Sequence, residues 1–302
     1  MVQRLNLKNS HTGCNCILLD LKMTEPIFTL DLFPKLNQKL IELLRSLSTE
    51  EWQMNTVSPQ WNVHDIALHL LDGNIKTLSM LRDHYYGVNQ DDIHSYGDLV
   101  TYLNQLNNEW VDALKRVSPG VLIDLLTWTG AQYYDYLKSL DPFATAPFSV
   151  AWAGEEQSAN WFHIAREYTE KWHHQQQIRL AVGKEEALYT KEFYFPYLDT
   201  SMRALPYHYR NQKSKKPETL QFIISGEGGS IWYLQYLQSK WSLVDYPEDH
   251  ITGVLKINGT IAWRIFTKSM NAKQSLNEVE FTGDKASRAL CLHILEMLAV
   301  MA

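Results

Sequence analysis

Glu170 and His174 stand four residues apart in the segment Glu170-Lys-Trp-His-His174-Gln-Gln-Gln177-Ile-Arg179. On an α-helix that spacing puts both side chains on one face, where a carboxylate and an imidazole can grip the same cation. A third donor has to come from another helix. His69, set in the run Asp65-Ile-Ala-Leu-His69-Leu-Leu, has apolar neighbours that point it near a helical interior. A buried imidazole there needs a partner, because an unpaired buried polar group costs about 1–3 kcal/mol. Two histidines and a carboxylate can hold zinc with a fourth position open to water or substrate. The same set suits ferrous iron with several open positions.

Plainer readings stand beside this one. Glu170 and His174 can be a surface pair worth about 0.2–0.5 kcal/mol, and His69 a satisfied core histidine. His173 is set aside as a ligand because its position is turned about 100° from that of His174. His163 shares the face of Glu170 but lies about 10 Å along the axis. Gln177, one turn beyond His174, is placed to orient it from behind, or is a solvated polar residue.

The elements that must carry these residues are helices over 27–206. Leu36, Leu40, Leu43, Leu44 and Leu47 recur at helical spacing. After Ser58-Pro59, Asn62 and Asp65 form a capping box for a helix bearing His69 and ending near Gly87. Further helices are expected over Tyr96–Val117 and from Ser118-Pro119 to about Leu140. Residues 141–157, with two prolines and a glycine, read as a long loop of the kind that is often functional. Ser158 is expected to cap a fifth helix, which carries Glu170 and His174 and ends near Gly183. Residues 188–210 read as helix broken by Pro196 and Pro206. Trp161, Trp172, Tyr133, Tyr134 and Tyr136 fall at helical spacings and read as core or interface.

The polar stretch 211–218 marks a domain boundary. Beyond it, Leu220–Ile224, Ile231–Leu237, Val254–Ile257 and Leu276–Phe281 read as strands. Thr260–Met270 reads as a helix and 284–301 as a final apolar one, giving a small α+β domain. The expected organisation is an extension over 1–26, a metal-binding helical domain over 27–210, and an α+β domain over 218–302. Met23 is an alternative natural start. The loop Gly226–Gly229 lacks the spacing and lysine of a phosphate cradle.

Composition narrows the function classes. The 302 residues include 28 basic and 34 acidic ones, a net charge of −6, which argues against a general nucleic-acid binder. Cys14, Cys16 and Cys291 make no disulfide framework, and a reducing cytoplasm is the expected location. No run approaches the roughly 18 apolar residues of a membrane span.

Trp61-Asn-Val-His-Asp-Ile-Ala-Leu-His69-Leu resembles the first metal helix of the DinB-like superfamily, and Glu170-x-x-x-His174-x-x-Gln177-Ile-Arg179 resembles its second. Glutamate at the middle position resembles the thiol-dependent (mycothiol-dependent) maleylpyruvate isomerase branch. Phe281-Thr-Gly283-Asp284 resembles that branch's small α+β domain, akin to sterol-carrier folds. The resemblance covers about residues 27–302. It implies a DinB-like four-helix bundle with a sterol-carrier-like domain, and one divalent ion, zinc above all, on His69, Glu170 and His174. It implies a low-molecular-weight thiol cosubstrate, mycothiol or another, used for isomerisation or S-transfer on an electrophilic small molecule. No nucleic-acid or membrane partner is expected; a homodimer is allowed. The alternative is a non-catalytic binder of a small molecule or lipid, its metal structural. One departure stands out. The branch carries a Gly-Arg pair after an apolar helix of its second domain, where this chain has Lys268-Ser269 after Trp263-Arg-Ile-Phe-Thr. Arg264 or Lys268 could supply that charge to an acidic substrate, or each is a solvated surface cation.

Overall fold

The computed structural model describes residues 25–87, 93–247 and 250–300. Cys14, Cys16 and Met23 lie outside them. Helix α1 (Leu32–Arg45) buries Phe33, Leu36, Leu40, Ile41, Leu43 and Leu44 on one stripe, the pattern of an amphipathic helix against a core. A short α2 (Thr49–Trp52) follows, with Ser48 and Glu51 as its capping box. Helix α3 (Val63–Thr77) starts where expected: Asn62 Oδ1 accepts the Asp65 N–H at 2.9 Å, and Asp65 Oδ2 accepts the Asn62 N–H at 3.1 Å. It does not run on to Gly87 but widens into a π-helical turn, Leu78–Arg82. Helix α4 (Tyr96–Leu114) and α5 (Pro119–Lys138) follow, each capped by the preceding serine.

Helix α6 (Asn160–Ala181) carries Glu170 and His174. Its N-cap is Ala159, without a side-chain bond, rather than Ser158. The Ser158 hydroxyl is used inside the preceding loop, where it accepts the Val150 N–H at 2.9 Å and donates to Glu155. Helices α7 (Lys191–Met202) and α8 (Leu205–His208) complete the helical region. Pro196 does not break α7. The carbonyl a proline leaves without its usual donor is four residues back, and here that is exposed Glu192 in the first turn. Pro206 sits in the first turn of α8, where the missing N–H costs nothing. Helices α1, α3, α5 and α6 pack against one another.

The C-terminal part is a mixed five-stranded sheet of order β3-β2-β1-β4-β5. Its strands are β1 (Glu218–Ile224), β2 (Ile231–Leu237), β3 (Lys240–Val244), β4 (Gly253–Ile257) and β5 (Val279–Gly283). β1 and β4 are parallel; the other neighbours are antiparallel. Strand β3 is absent from the sequence reading. It closes a hairpin through Gln238 and Ser239, both at positive φ (51° and 65°), a conformation usually announced by Asn-Gly or Asp-Gly. Helix α9 (Gly259–Phe266) ends short of Met270, because the chain turns left-handed at Lys268, φ 59°. A short α10 (Ala272–Ser275) follows, and a 3-10 turn over Leu276–Glu278 replaces the start of the expected last strand. The expected final helix over 284–301 is only α11 (Arg288–Leu292) with 3-10 turns on either side. The backbone turns extended at Met297, and the Ala299 N–H bonds the Phe266 carbonyl at the end of α9.

The apolar core does not stop at the 211–218 boundary. Trp172, Tyr194 and Tyr197 belong to one buried cluster with Phe222, Leu234, Trp263 and Ile265. The Trp172 ring stacks on Tyr197 at 4.3 Å and Tyr194 at 4.8 Å, and meets Trp263 edge-on at 6.2 Å. These aromatics are core, as their spacing predicts, and they fix α6 against the sheet region.

His208, at the same junction, lies face to face with His293, ring centroids 4.1 Å apart, and its Nε2 bonds the His293 carbonyl at 2.8 Å. Burial pushes its pKa down from 6.5 to about 4, against the opposing pull of that carbonyl. The folded form therefore resists a proton that the unfolded chain accepts, so stability is full above about pH 6.5 and falls as the pH drops toward 4. Urea midpoints measured between pH 7 and pH 4 should fall less steeply in His208→Asn than in the wild type. Parallel slopes would contradict this assignment.

Candidate metal centre

Helix α6 turns an unusually polar face inward: His163, Thr169, His173, Gln175, Gln176 and Gln177 are all buried. At its centre a set of three metal-capable donors forms. Glu170, His173 and His174 each offer an atom within 4.8 Å of the others. Glu170 Oε2 lies 3.8 Å from His174 Nε2 and 3.8 Å from His173 Nδ1. Two donors on one ion with bonds of about 2.0–2.2 Å would stand roughly 3–4 Å apart.

His69 reaches this set from α3. Its ring is 4.6 Å from that of His174 at an interplanar angle of 76°. Its Nδ1 is buried and has no hydrogen-bond partner, so the outer-sphere bond expected of a ligand's second nitrogen does not form at Nδ1. His69 itself is not within the compact three-donor set.

Hydrogen bonds fix which nitrogens are available. Gln177 Oε1 can only accept, so the 2.9 Å contact to His174 Nδ1 puts the proton on Nδ1 and leaves the lone pair on Nε2, facing Glu170. The His173 Nδ1 donates to the Thr169 carbonyl at 2.9 Å, which removes that atom as a ligand. Burial holds His69 and His174 well below 6.5 and brings His173 to about 4; neighbouring imidazoles push His69 and His174 the same way. All three rings are therefore neutral at pH 7, the state a metal requires.

Sequence reasoning set His173 aside by its position on the helix wheel. The structure bends its ring back until its centroid lies 4.0 Å from that of His174, at 38°. The adjacent His-His pair was the signal for this, and helical angle alone does not register side-chain reach.

One turn before Glu170, a buried ion pair adjoins the site. Arg166 pairs with Glu167, their side chains only 13% and 15% exposed. The Tyr133 hydroxyl donates to Glu167, and Arg166 Nη2 approaches His163 Nδ1 at 3.4 Å. Lys171 turns the other way. It donates to Asn74, lies 4.1 Å above the Tyr133 ring, and lines a cavity of about 20 Å³ with Leu36, Leu70 and Leu126, room for one water. Burial lowers its pKa to about 8.

The two cations expected to meet an acidic substrate are placed differently. Lys268 is exposed at the end of α9, near Glu296 and His208. Arg264 has a buried Nε without a partner, and its carbonyl takes the Met270 N–H and the Ser269 hydroxyl at the end of α9. The sheet region approaches α6 through Trp263 rather than through either cation.

The fold and the donor set define a class: a helical region with a half-buried Glu-His-His cluster, joined to a mixed sheet. Residues 33–179 match the family model described as "Mycothiol maleylpyruvate isomerase N-terminal domain". Two solved structures are also similar. One is the mycothiol-dependent maleylpyruvate isomerase, at 11% identity and TM-score 0.46; the other is a histidine-to-alanine mutant of that enzyme, at 10% identity and TM-score 0.47. Each alignment covers 84% of this chain and 91% of the other. No curated protein sequence matches this chain.

Proposed function

We propose that this chain is a divalent-metal-dependent enzyme that uses a low-molecular-weight thiol, mycothiol first among candidates, for isomerisation or S-transfer on an electrophilic small molecule. On this reading the helical region is the DinB-like four-helix bundle and the sheet region its sterol-carrier-like companion. The observation that carries the proposal is the junction of His69, Glu170 and His174 inside the stretch matching the isomerase domain family. His69, Glu170 and His174 would hold the ion. A ring nitrogen of His69 and the free Nε2 of His174 would supply the lone pairs, and Glu170 the charge. His69 is preferred over His173 on geometry. The His173 nitrogen that lies 3.8 Å from Glu170 already donates to the Thr169 carbonyl. At His69, Glu170 and His174 a bound divalent ion would supply the acidity that favours the nucleophilic thiolate of a thiol.

The remaining roles fall to the chain itself. Gln177 holds His174 in the tautomer that leaves Nε2 free. The Arg166–Glu167 pair sets a fixed charge pattern one turn from Glu170. Trp172 ties α6 to α7 through Tyr194 and Tyr197 and to the sheet region through Trp263.

Purified protein should turn over an electrophile, with maleylpyruvate the first to try, when mycothiol and zinc are both supplied. Omitting the thiol, or chelating the metal, should bring the rate to background. Undiminished turnover under either condition would rule the mechanism out.

A further inference from the structure

A metal-bound imidazole is usually held in its ring plane by a hydrogen bond from its other nitrogen. His174 has that device in Gln177. His69 lacks it at Nδ1, which is buried without a partner. What touches the His69 ring is instead Trp61, at 4.8 Å between centroids and 38° between planes. The ring is thus bounded by two aromatic contacts, the Trp61 indole and the edge-on His174.

Trp61 is itself anchored by its backbone. Its N–H bonds the Ser58 carbonyl at 3.1 Å, and its carbonyl receives both the Thr56 N–H at 3.3 Å and the Thr56 hydroxyl at 2.8 Å. The next residue is Asn62, locked in the capping box that starts α3. The loop therefore delivers the indole to a defined place eight residues ahead of His69. Half-buried Trp61 also packs on the apolar cluster of Val63, Ile66 and Leu70, which accounts for part of its burial but not for the ring it faces.

We infer that Trp61 is a positioning residue for the metal site: its indole fixes the plane of the His69 imidazole by stacking, in place of the missing hydrogen bond, and so keeps the His69 nitrogen directed at the ion shared with Glu170 and His174. The inference rests on the metal reading above.

Cobalt(II) titration separates the two. Metal-free full-length protein is titrated with cobalt(II), following the visible ligand-field bands and the dissociation constant, for wild type, Trp61→Ala, Trp61→Leu and Trp61→Phe. Loss of an orienting partner typically costs 10–100-fold in metal affinity, so Trp61→Ala and Trp61→Leu should each weaken cobalt binding by about that factor. Their bands should also lose intensity as the loosened site admits more water. Trp61→Phe, which keeps an aromatic face, should recover most of both. Trp61→Leu guards against a folding artefact, since it retains apolar bulk at the position. Wild-type affinity and spectrum in Trp61→Leu would overturn the role of Trp61 alone. Failure of the wild type to take up cobalt would overturn the metal reading and this inference together.

Discussion

Replacing Arg166 by Met should destabilise the fold by about 3–5 kcal/mol, the usual cost of removing one partner from a buried ion pair. The Glu167 carboxylate would be left in place with its side chain only 15% exposed. Burial alone would raise the pKa of Glu167, but the Arg166 charge, His163 and the Tyr133 hydroxyl outweigh it and bring it to about 2. A carboxyl with a depressed folded pKa contributes stability above its unfolded value of 4.5, and that contribution is lost as the pH falls toward 2. Arg166→Met should therefore lose most at neutral pH and converge on the wild type in acid. The double variant Arg166→Met/Glu167→Leu should regain much of the loss, short of a residual cost of about 1–3 kcal/mol for the Tyr133 hydroxyl deprived of its acceptor. Urea denaturation of the three proteins at pH 7 checks this. An Arg166→Met variant within about 0.5 kcal/mol of wild type, the range of ordinary surface changes, would mean that the pair is solvated.

The second large effect is on metal content. Alanine at His174 removes an imidazole that Gln177 holds with Nε2 free and facing Glu170, and alanine at Glu170 removes the only carboxylate among the three donors. Each loss leaves two protein ligands where a zinc site needs three or four, so each should weaken zinc binding well beyond the 10–100-fold of an outer-sphere change. Gln177→Ala should fall within that lesser range. None of these changes touches the apolar stripes of α1 or α3, so helix content by circular dichroism should stay near wild type.

Part of the geometry around these residues was legible in the sequence. The i,i+4 spacing of Glu170 and His174 survives as a 3.8 Å approach on α6, and the apolar run around His69 does bring it inward to the same junction. Gln177 reaches the ring it was expected to orient. The Asn62 capping box starts α3 where the pattern put it. Reading failed where side-chain reach or tertiary demand decides. His173 swings back beside His174, against its wheel position. Ser158 serves the loop before α6 instead of capping it. The turn at Gln238 and Ser239 takes positive φ without a glycine or asparagine, so β3 left no local signal. The apolar C-terminal run gives up its helix because extended backbone there satisfies the Phe266 carbonyl. Trp61 could be quoted from the sequence, but its placement over His69 depends on the Thr56–Trp61 loop closing as it does.

The central claim is that His69, Glu170 and His174 share one ion, with His173 outside the shell. Zinc stoichiometry and affinity, measured side by side for His69→Ala and His173→Ala by competition with a chromophoric chelator, test it most directly. The account predicts about one zinc per chain in the wild type and in His173→Ala, with similar affinity, and near-complete loss in His69→Ala. Full zinc binding in His69→Ala, with loss in His173→Ala, would contradict it and assign the site to Glu170, His173 and His174 on α6 alone.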